Sequence, residues 1–273
     1  MIRPSDIKSI KLHGTDTFQT NVSRIEDGTR KNYFSLFPTE EILKQSISNS
    51  FIINNPMNTV GGDGYWFHQD EETTFLAVFD CMGHGHLASM MTRIYVNTLK
   101  KIVIDQGVLF PNQILHLMHL EIQEKFQKKA NSQLGTGADF GMIRINKHLH
   151  EMEFAGAKMN LFEVRDGELN IIKADRMQVG EFFDHPHEYK TVIFNLKEKE
   201  DSKFYLFSDG LKDLIGGPDN KKLGSNNLKA LLEQNYCHSM QEQKVIIKDY
   251  LSKWQGSNMA LDDVLLIGFG FDQ

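Results

Sequence analysis

The sequence predicts an α+β fold: two sheets, or one folded sheet, covered by helices on the outside. Three observations carry this. Strand-like runs follow one another as hairpins, and the helix-like stretches come in pairs. Strict strand–helix alternation is absent, which disfavours a doubly wound parallel sheet. Several strand-like runs are apolar at both alternating positions, the pattern of strands covered on both faces.

Taken in order, residues 1–37 are polar and weakly patterned and are expected to be an N-terminal extension, with one larger domain over 38–273. Pro38 and Thr39 open a predicted helix reaching toward 50, with Glu40 and Glu41 at its positive end and Ile42, Leu43 and Ile47 as its buried stripe. Strands follow at 51–54, 74–80, 139–145, 152–154 and 159–164. Asp166-Gly167 then separates two strand-like segments, the strongest hairpin signal in the chain. Further strands are expected at 191–196, 203–208 and 263–269. A helix over 86–104 carries Leu87, Met90, Met91, Ile94, Leu99 and Ile102 at helical spacing, and both methionines read as core filler. A second, over 111–129, starts at Pro111 and presents Ile114, Leu117, Met118, Ile122 and Phe126. A third, over 225–235, carries Leu228, Leu231 and Leu232. Ser239 and Glu242 form a capping box ahead of a helix with Val245, Ile246, Tyr250 and Trp254.

At 273 residues, one large domain or a domain with an extension is the expectation, and such a chain can bury a sizeable core. Its 40% hydrophobic and 24% charged content excludes disorder, collagen and coiled coil as whole-chain descriptions. The net charge is −6 with no concentrated basic block, so nucleic acid is not an expected partner. Two cysteines, Cys81 and Cys237, are too few for a disulfide framework and fit a reducing compartment. No signal-peptide core and no apolar run long enough to span a bilayer occur, so a soluble, cytoplasmic protein is expected.

The residues that carry chemistry are aspartates at strand ends beside glycine turns. Asp63 lies in VGGDGYW, Asp80 ends TFLAVFD, Asp209 follows KFYLFS, and Asp262 and Asp263 open the last strand. Any one alone reads as a turn residue. Together they are a different matter, because carboxylates about 4 Å apart repel by roughly 4 kcal/mol per pair at an effective dielectric of 20. Such a cluster must be protonated, dispersed or neutralised by cations. Hard oxygen donors without His or Cys partners favour magnesium or manganese over zinc.

The ordered set GGDGYW, FDCMGHG, FAGAKMNLF, KADRMQVG, YLFSDGL and LDDVLLIG resembles the metal-dependent protein phosphatases of the type 2C (PPM) class, nearest to their bacterial SpoIIE-like branch, over roughly 38–270. The resemblance implies an αββα sandwich of two antiparallel sheets flanked by helices, with two Mn2+ or Mg2+ ions at one edge. It implies that Asp80 bridges the ions, that the backbone carbonyl of Cys81 binds the first, and that Asp63, Asp209 and Asp262 hold the second directly or through water. Asp263 has a supporting role. No protein nucleophile is needed, since water activated between two ions about 3.5–4 Å apart attacks phosphorus. The implied substrate is phosphoserine or phosphothreonine on a regulatory protein, namely a phosphorylated STAS-domain-like partner opposed by a serine/threonine kinase. A helix before GGD can switch such a site in the family it resembles, so residues 1–50 are expected to form a regulatory and dimerising element, with a homodimer as the corresponding assembly.

The chain also departs from the pattern. Ala155-Gly156-Ala157-Lys158 stands where many members have Ala-Gly-His, and Leu265 replaces the frequent Thr after the paired aspartates. Asp139 stands where Thr is common and is a candidate for tuning the first ion or holding a third. His84 is a candidate acid for the leaving oxygen, and His86 shares the GHGH motif, although both also fit a glycine-rich helix opening. Lys158 is a candidate phosphate contact, against the ordinary reading of a solvated lysine. His116, His119 and His150 read as surface or satisfied histidines. The alternatives are a non-catalytic pseudophosphatase that binds a partner-switching regulator, and a diguanylate cyclase reading of GGDGY that Gly64 and Tyr65 break.

Overall fold

The structure, a computed structural model, describes residues 26–83, 85–127, 135–182, 188–199 and 201–271. Two five-stranded antiparallel sheets lie at its centre. One has the order β2 (Asp63–Gln69), β3 (Thr73–Cys81), β4 (Ala138–Asn146), β5 (Glu151–Ala157) and β8 (Thr191–Asn195). The other has the order β1 (Ser50–Asn55), β12 (Val264–Gly270), β9 (Lys203–Phe207), β6 (Leu161–Arg165) and β7 (Glu168–Ile172). A short ribbon pairs β10 (Ile215–Gly216) with β11 (Lys221–Lys222). Residues 26–34 form α1, followed by α2 (Glu40–Lys44) and α3 (His86–Leu99), which runs into a π-helical turn (Lys100–Asp105). The remaining helices are α4 (Pro111–Gln127), α5 (Gly210–Asp213), α6 (Gly224–Asn235) and α7 (Met240–Gln255).

Three apolar layers explain why the strand sequences are apolar on both alternations. Leu76, Val78, Ile143, Leu206, Leu265 and Ile267 meet between the sheets. On the β3 side, Phe75, Ala77, Phe79 and Phe140 turn outward under α3 and α4, against Tyr95, Leu99 and Met118. On the other side, Phe51, Tyr205 and Leu266 pack under α6 and α7, against Leu228, Leu232 and Ile247. The period-2 side-chain alternation therefore feeds two cores from one strand. Each fully buried Leu, Ile or Phe contributes about 1.5–3 kcal/mol relative to exposure. The Asp166-Gly167 hairpin forms as expected, with both residues at positive φ (54° and 77°) in the turn between β6 and β7.

The helical stripes differ from the expected ones. Leu87 and Met90 are 63% and 62% exposed, so Met90 is not core filler, and α3 instead buries Ala88, Met91, Thr92, Tyr95, Val96 and Leu99. Small residues face the sheet because the first turns of α3 press on backbone: Thr92 Oγ1 donates to Gly62 O at 2.8 Å, and a Cβ on Gly64 would lie 3.0 Å from the Thr92 methyl. In α7 the capping box is present, but Val245 is 68% exposed and the buried face is Met240, Gln243, Ile247 and Leu251. The helix beginning after Thr39 is shorter than expected, Thr39 makes no side-chain cap bond, and Ile42 is exposed while Leu43 and Ile47 are buried. The expected helix over 111–129 ends at Gln127, with 128–129 outside the described residues.

The N-terminal segment packs into the domain. Tyr33, Phe37, Leu43 and Ile47 complete the inter-sheet core, and Phe37 stacks on Tyr65 at 4.9 Å. Glu40 accepts a bond from Ile52 N–H at 3.0 Å and pairs with Lys44 and Lys244, joining α2 to β1 and α7. No helix among the described residues is long and apolar enough to cross a membrane.

Leu265→Ala, in the inter-sheet core, should lower unfolding stability by about 2–5 kcal/mol in urea titration. Val245→Ala should change it by less than about 0.5 kcal/mol, since an exposed side chain leaves no cavity.

Candidate metal centre

Strand register builds the centre. Asp63 on β2 lies directly opposite Asp80 on β3, and Asp80 lies opposite Asp139 on β4. All three share the parity of Tyr65, Val78 and Ile143, the residues turned toward the second sheet. The acidic row thus lies at one end of the sandwich, on its inner side. Across from it, Ser208-Asp209 follow the end of β9 and β12 begins after Asp262-Asp263. Ser208 Oγ donates to Asp63 Oδ2 at 2.6 Å and accepts from Leu265 N–H at 3.0 Å, locking the two sheets together at this point. Tyr33 Oη donates to the Asp63 carbonyl at 2.6 Å.

Each side chain has a distinct setting. Asp63 and Asp263 are buried, Asp80, Asp139 and Asp262 are half-buried, and Asp209 is exposed at the mouth. Asp263 accepts from Met57 N–H at 2.7 Å and Gly62 N–H at 2.6 Å, so it anchors the loop before β2. A Cβ on Gly61 would fall 2.4 Å from Asp263 Oδ2, which makes glycine obligatory there. Asp262 Oδ1 accepts from Asp263 N–H, and Asp139 Oδ1 accepts from Gln178 Nε2 at 2.7 Å. Gly62 lets the backbone close on Cys81 O, because an added Cβ would sit 2.7 Å from it. The Cys81 thiol points away into the α3 core, where burial pushes its pKa up, so the thiol stays protonated.

The electrostatics are those of carboxylates forced together. Burial, then the charges of Asp63, Asp209 and Asp139, push Asp80 up to about 10. Asp63 is also raised, by burial above all and by Asp263, Asp262 and Asp209, against the bond from Ser208. Asp139 is raised by burial, with the Gln178 bond and Lys158 acting in the opposite direction. All donors facing the row are oxygen, and the excess negative charge is what hard divalent cations would neutralise. Among the described residues, however, no three His, Cys, Asp or Glu side chains already stand as a group able to hold an ion. Asp63 and Asp139 are each engaged at one oxygen by a neutral donor. The residues fit the group in kind and place.

The expected site residues fall into two sets. Asp63, Asp80, Asp139, Asp209, Asp262 and Asp263 come to one end of the sandwich, and a cleft of about 270 Å³ opens there, lined by Asp80, Asp139, Asp209 and Lys158. Hollows of about 410 and 640 Å³ elsewhere share no residue with the row. His84 lies outside the described residues, and His86 is exposed at the start of α3. His119 is buried and satisfied, its Nδ1 accepting from Gly180 N–H at 3.2 Å, whereas His116 Nδ1 is buried with no partner among the described residues. Sequence reasoning missed Ser208, Gln178 and Tyr33. Ser208 adjoins Asp209 in sequence, but nothing local marks the other two.

An αββα sandwich with an acidic inner edge defines the class, that of the type 2C phosphatase fold. Residues 70–272 match the family described as stage II sporulation protein E (SpoIIE), and the chain belongs to that family. It is 23% identical over 216 residues to phosphoserine phosphatase RsbU of Bacillus subtilis (strain 168), covering 79% of this chain and 61% of RsbU. Among solved structures, the SiaA PP2C domain of Pseudomonas aeruginosa superposes with a TM-score of 0.82 at 25% identity, covering 93% of this chain and 98% of that one. RsbX, solved in complex with magnesium, shares the fold at a TM-score of 0.54 and 18% identity, covering 80% and 92%.

A raised Asp80 gives a signed pH prediction. The folded chain keeps a proton that the unfolded chain gives up above its ordinary value near 4, so metal-free stability falls as pH rises between about 4 and 10. In chelator, Asp80→Asn should melt several degrees above the parent at pH 8.5, with the gap closing toward pH 4.

Proposed function

We propose that this chain is a metal-dependent serine/threonine phosphoprotein phosphatase. The observation that carries the reading is the register that sets Asp63, Asp80 and Asp139 side by side, facing Asp209 and Asp262. Kinship with RsbU, a phosphoserine phosphatase, supports it. Asp63, Asp80, Asp209, Asp262 and the Cys81 carbonyl would hold two magnesium or manganese ions, with Asp139 in reserve for tuning or for a third. When bound, such ions lower the pKa of water and neutralise charge on a phosphoryl group.

The chain's own residues do the rest. Asp80, central in the row, is the carboxylate placed to be shared. Ser208 orients Asp63 by donating to one oxygen, and Asp263 keeps both of its oxygens on backbone N–H groups, so it shapes the loop that presents Asp63. Lys158 supplies positive charge beside Asp80 and Asp139 at the cleft. The proposed substrate is a phosphorylated STAS-domain-like regulator opposed by a kinase, a reading supported by the likeness to RsbU. The N-terminal segment is the proposed regulatory element, because Tyr33 holds the backbone of Asp63 and Phe37 packs on Tyr65.

Hydrolysis of a small phosphate ester should require added manganese or magnesium, stop in chelator, and fall on the order of a hundredfold in Asp209→Asn. Calorimetry should show divalent ions binding the parent chain. Absence of binding would overturn the site, and binding without any turnover would favour the non-catalytic, regulator-binding alternative. A chain beginning at Ser50 should bind metal more weakly and turn over more slowly. Unchanged values in a folded truncation would remove the regulatory role.

A further inference from the structure

The cleft at the acidic row continues away from it. It passes Lys158 and Asn160 at the turn between β5 and β6 and reaches the outer face of β6, β7 and β9, where Phe162, Leu169, Ile171 and Phe207 form an apolar floor. The register puts Phe162 opposite Ile171, so these side chains share one face. Phe162 and Phe207 rings lie 4.7 Å apart, and Phe162, Leu169 and Ile171 are only half-buried. The α6 helix leaves this strip open and lines it through Ser225, Asn226 and Lys229 of its first turns.

The rim is basic in a chain of net charge −6: Lys173, Lys212 and Lys229 join Lys158 around the opening. Among the described residues no ion pair is recorded for Lys173 or Lys212. The pairs of Lys158 with Glu181 (3.7 Å) and Lys229 with Glu233 (3.5 Å) are long and both lysines are exposed, so each can take up another carboxylate. Lys158 also has φ 58°, an unfavourable conformation for a residue with a Cβ, held by its N–H donating to Asp175 O at 2.6 Å. Backbone held this way at a cleft is a feature of ligand sites.

We propose that this cleft takes an extended protein segment whose phosphoserine is flanked by acidic residues, with one apolar neighbour on the Phe162–Ile171 floor and the acidic flanks read by Lys173, Lys212 and Lys229. The proposal rests on the phosphatase reading for the phosphoserine itself. The flank preference follows from the charge of the rim, which complements acidic flanks and repels basic ones.

The test uses the full chain with manganese and fluorescent peptides carrying a non-hydrolysable phosphonate in place of phosphoserine. Their flanks are acidic, neutral or basic, and binding is read by anisotropy. Acid-flanked peptide should bind about tenfold more tightly than neutral peptide, with basic-flanked peptide weakest. The double variant Lys173→Glu, Lys229→Glu should bring the acidic-to-neutral ratio to one or below, and the Gln double variant should fall between. Equal binding of all three peptides to the parent chain, or a ratio unmoved by charge reversal in variants that melt like the parent, overturns the proposal. Small-ester turnover separates the two readings: a preserved flank preference without any ester hydrolysis supports the cleft assignment while sinking the phosphatase reading.

Discussion

Carboxylates set side by side at the ends of buried strands repel one another, and much of this fold's detail serves to keep them there. Asp63, Asp80 and Asp139 cannot disperse, because antiparallel register fixes their backbones opposite one another. Their neighbours relieve the strain in small ways. Ser208 gives Asp63 a hydrogen bond, Gln178 does the same for Asp139, and Asp263 spends its charge on two backbone N–H groups. What remains is a row whose central member holds its proton far above the ordinary carboxylate range. Stability is given up locally to hold them together, the usual trade at a functional site.

That arrangement needs a rigid frame, and the three apolar layers supply it. The inter-sheet core sets the distance between the sheets, so β9 and β12 deliver Ser208, Asp209, Asp262 and Asp263 opposite the row. Close backbone approaches at Gly61, Gly62 and Gly64 let α3 and the loop before β2 press against the strand ends. The N-terminal segment belongs to the same frame, since Tyr33 and Phe37 are buried in the inter-sheet core and Tyr33 bonds the backbone of Asp63.

The cleft extends this logic from chemistry to recognition. Lys158 and Lys212 border its acidic end, and Lys173 and Lys229 line the same cleft as its short apolar floor. Under the proposed function, a cation-loaded row would draw a phosphoryl group, and the rim would draw carboxylates beside it. The β6–β7 hairpin and the start of α6 supply the floor and part of the rim, and they are unconnected in sequence to the strands that carry Asp63 and Asp80.

Much of this was legible in the chain itself. Strand runs apolar on both alternations announced sheets covered on both faces, Asp166-Gly167 announced its hairpin, and Ser239 with Glu242 announced the start of α7, because those signals are local. The aspartates stood out for the same reason, each at an apolar strand's end beside glycine. The helical stripes were read less well. Leu87, Met90 and Val245 are apolar yet exposed, while Ala88, Thr92 and Gln243 face inward, since closeness of packing rather than hydrophobicity selects the inward side. Residue types and their local patterns thus determined by themselves the fold class and the acidic character of the site. Only the tertiary structure decided that Ser208 would hold Asp63, that Gln178 would hold Asp139, and that four scattered lysines would ring one cleft. Those partners are separated by tens to more than a hundred residues: packing of one sheet on the other brings Ser208 to Asp63, and backbone pairing of Val179 with Ala138 brings Gln178 to Asp139.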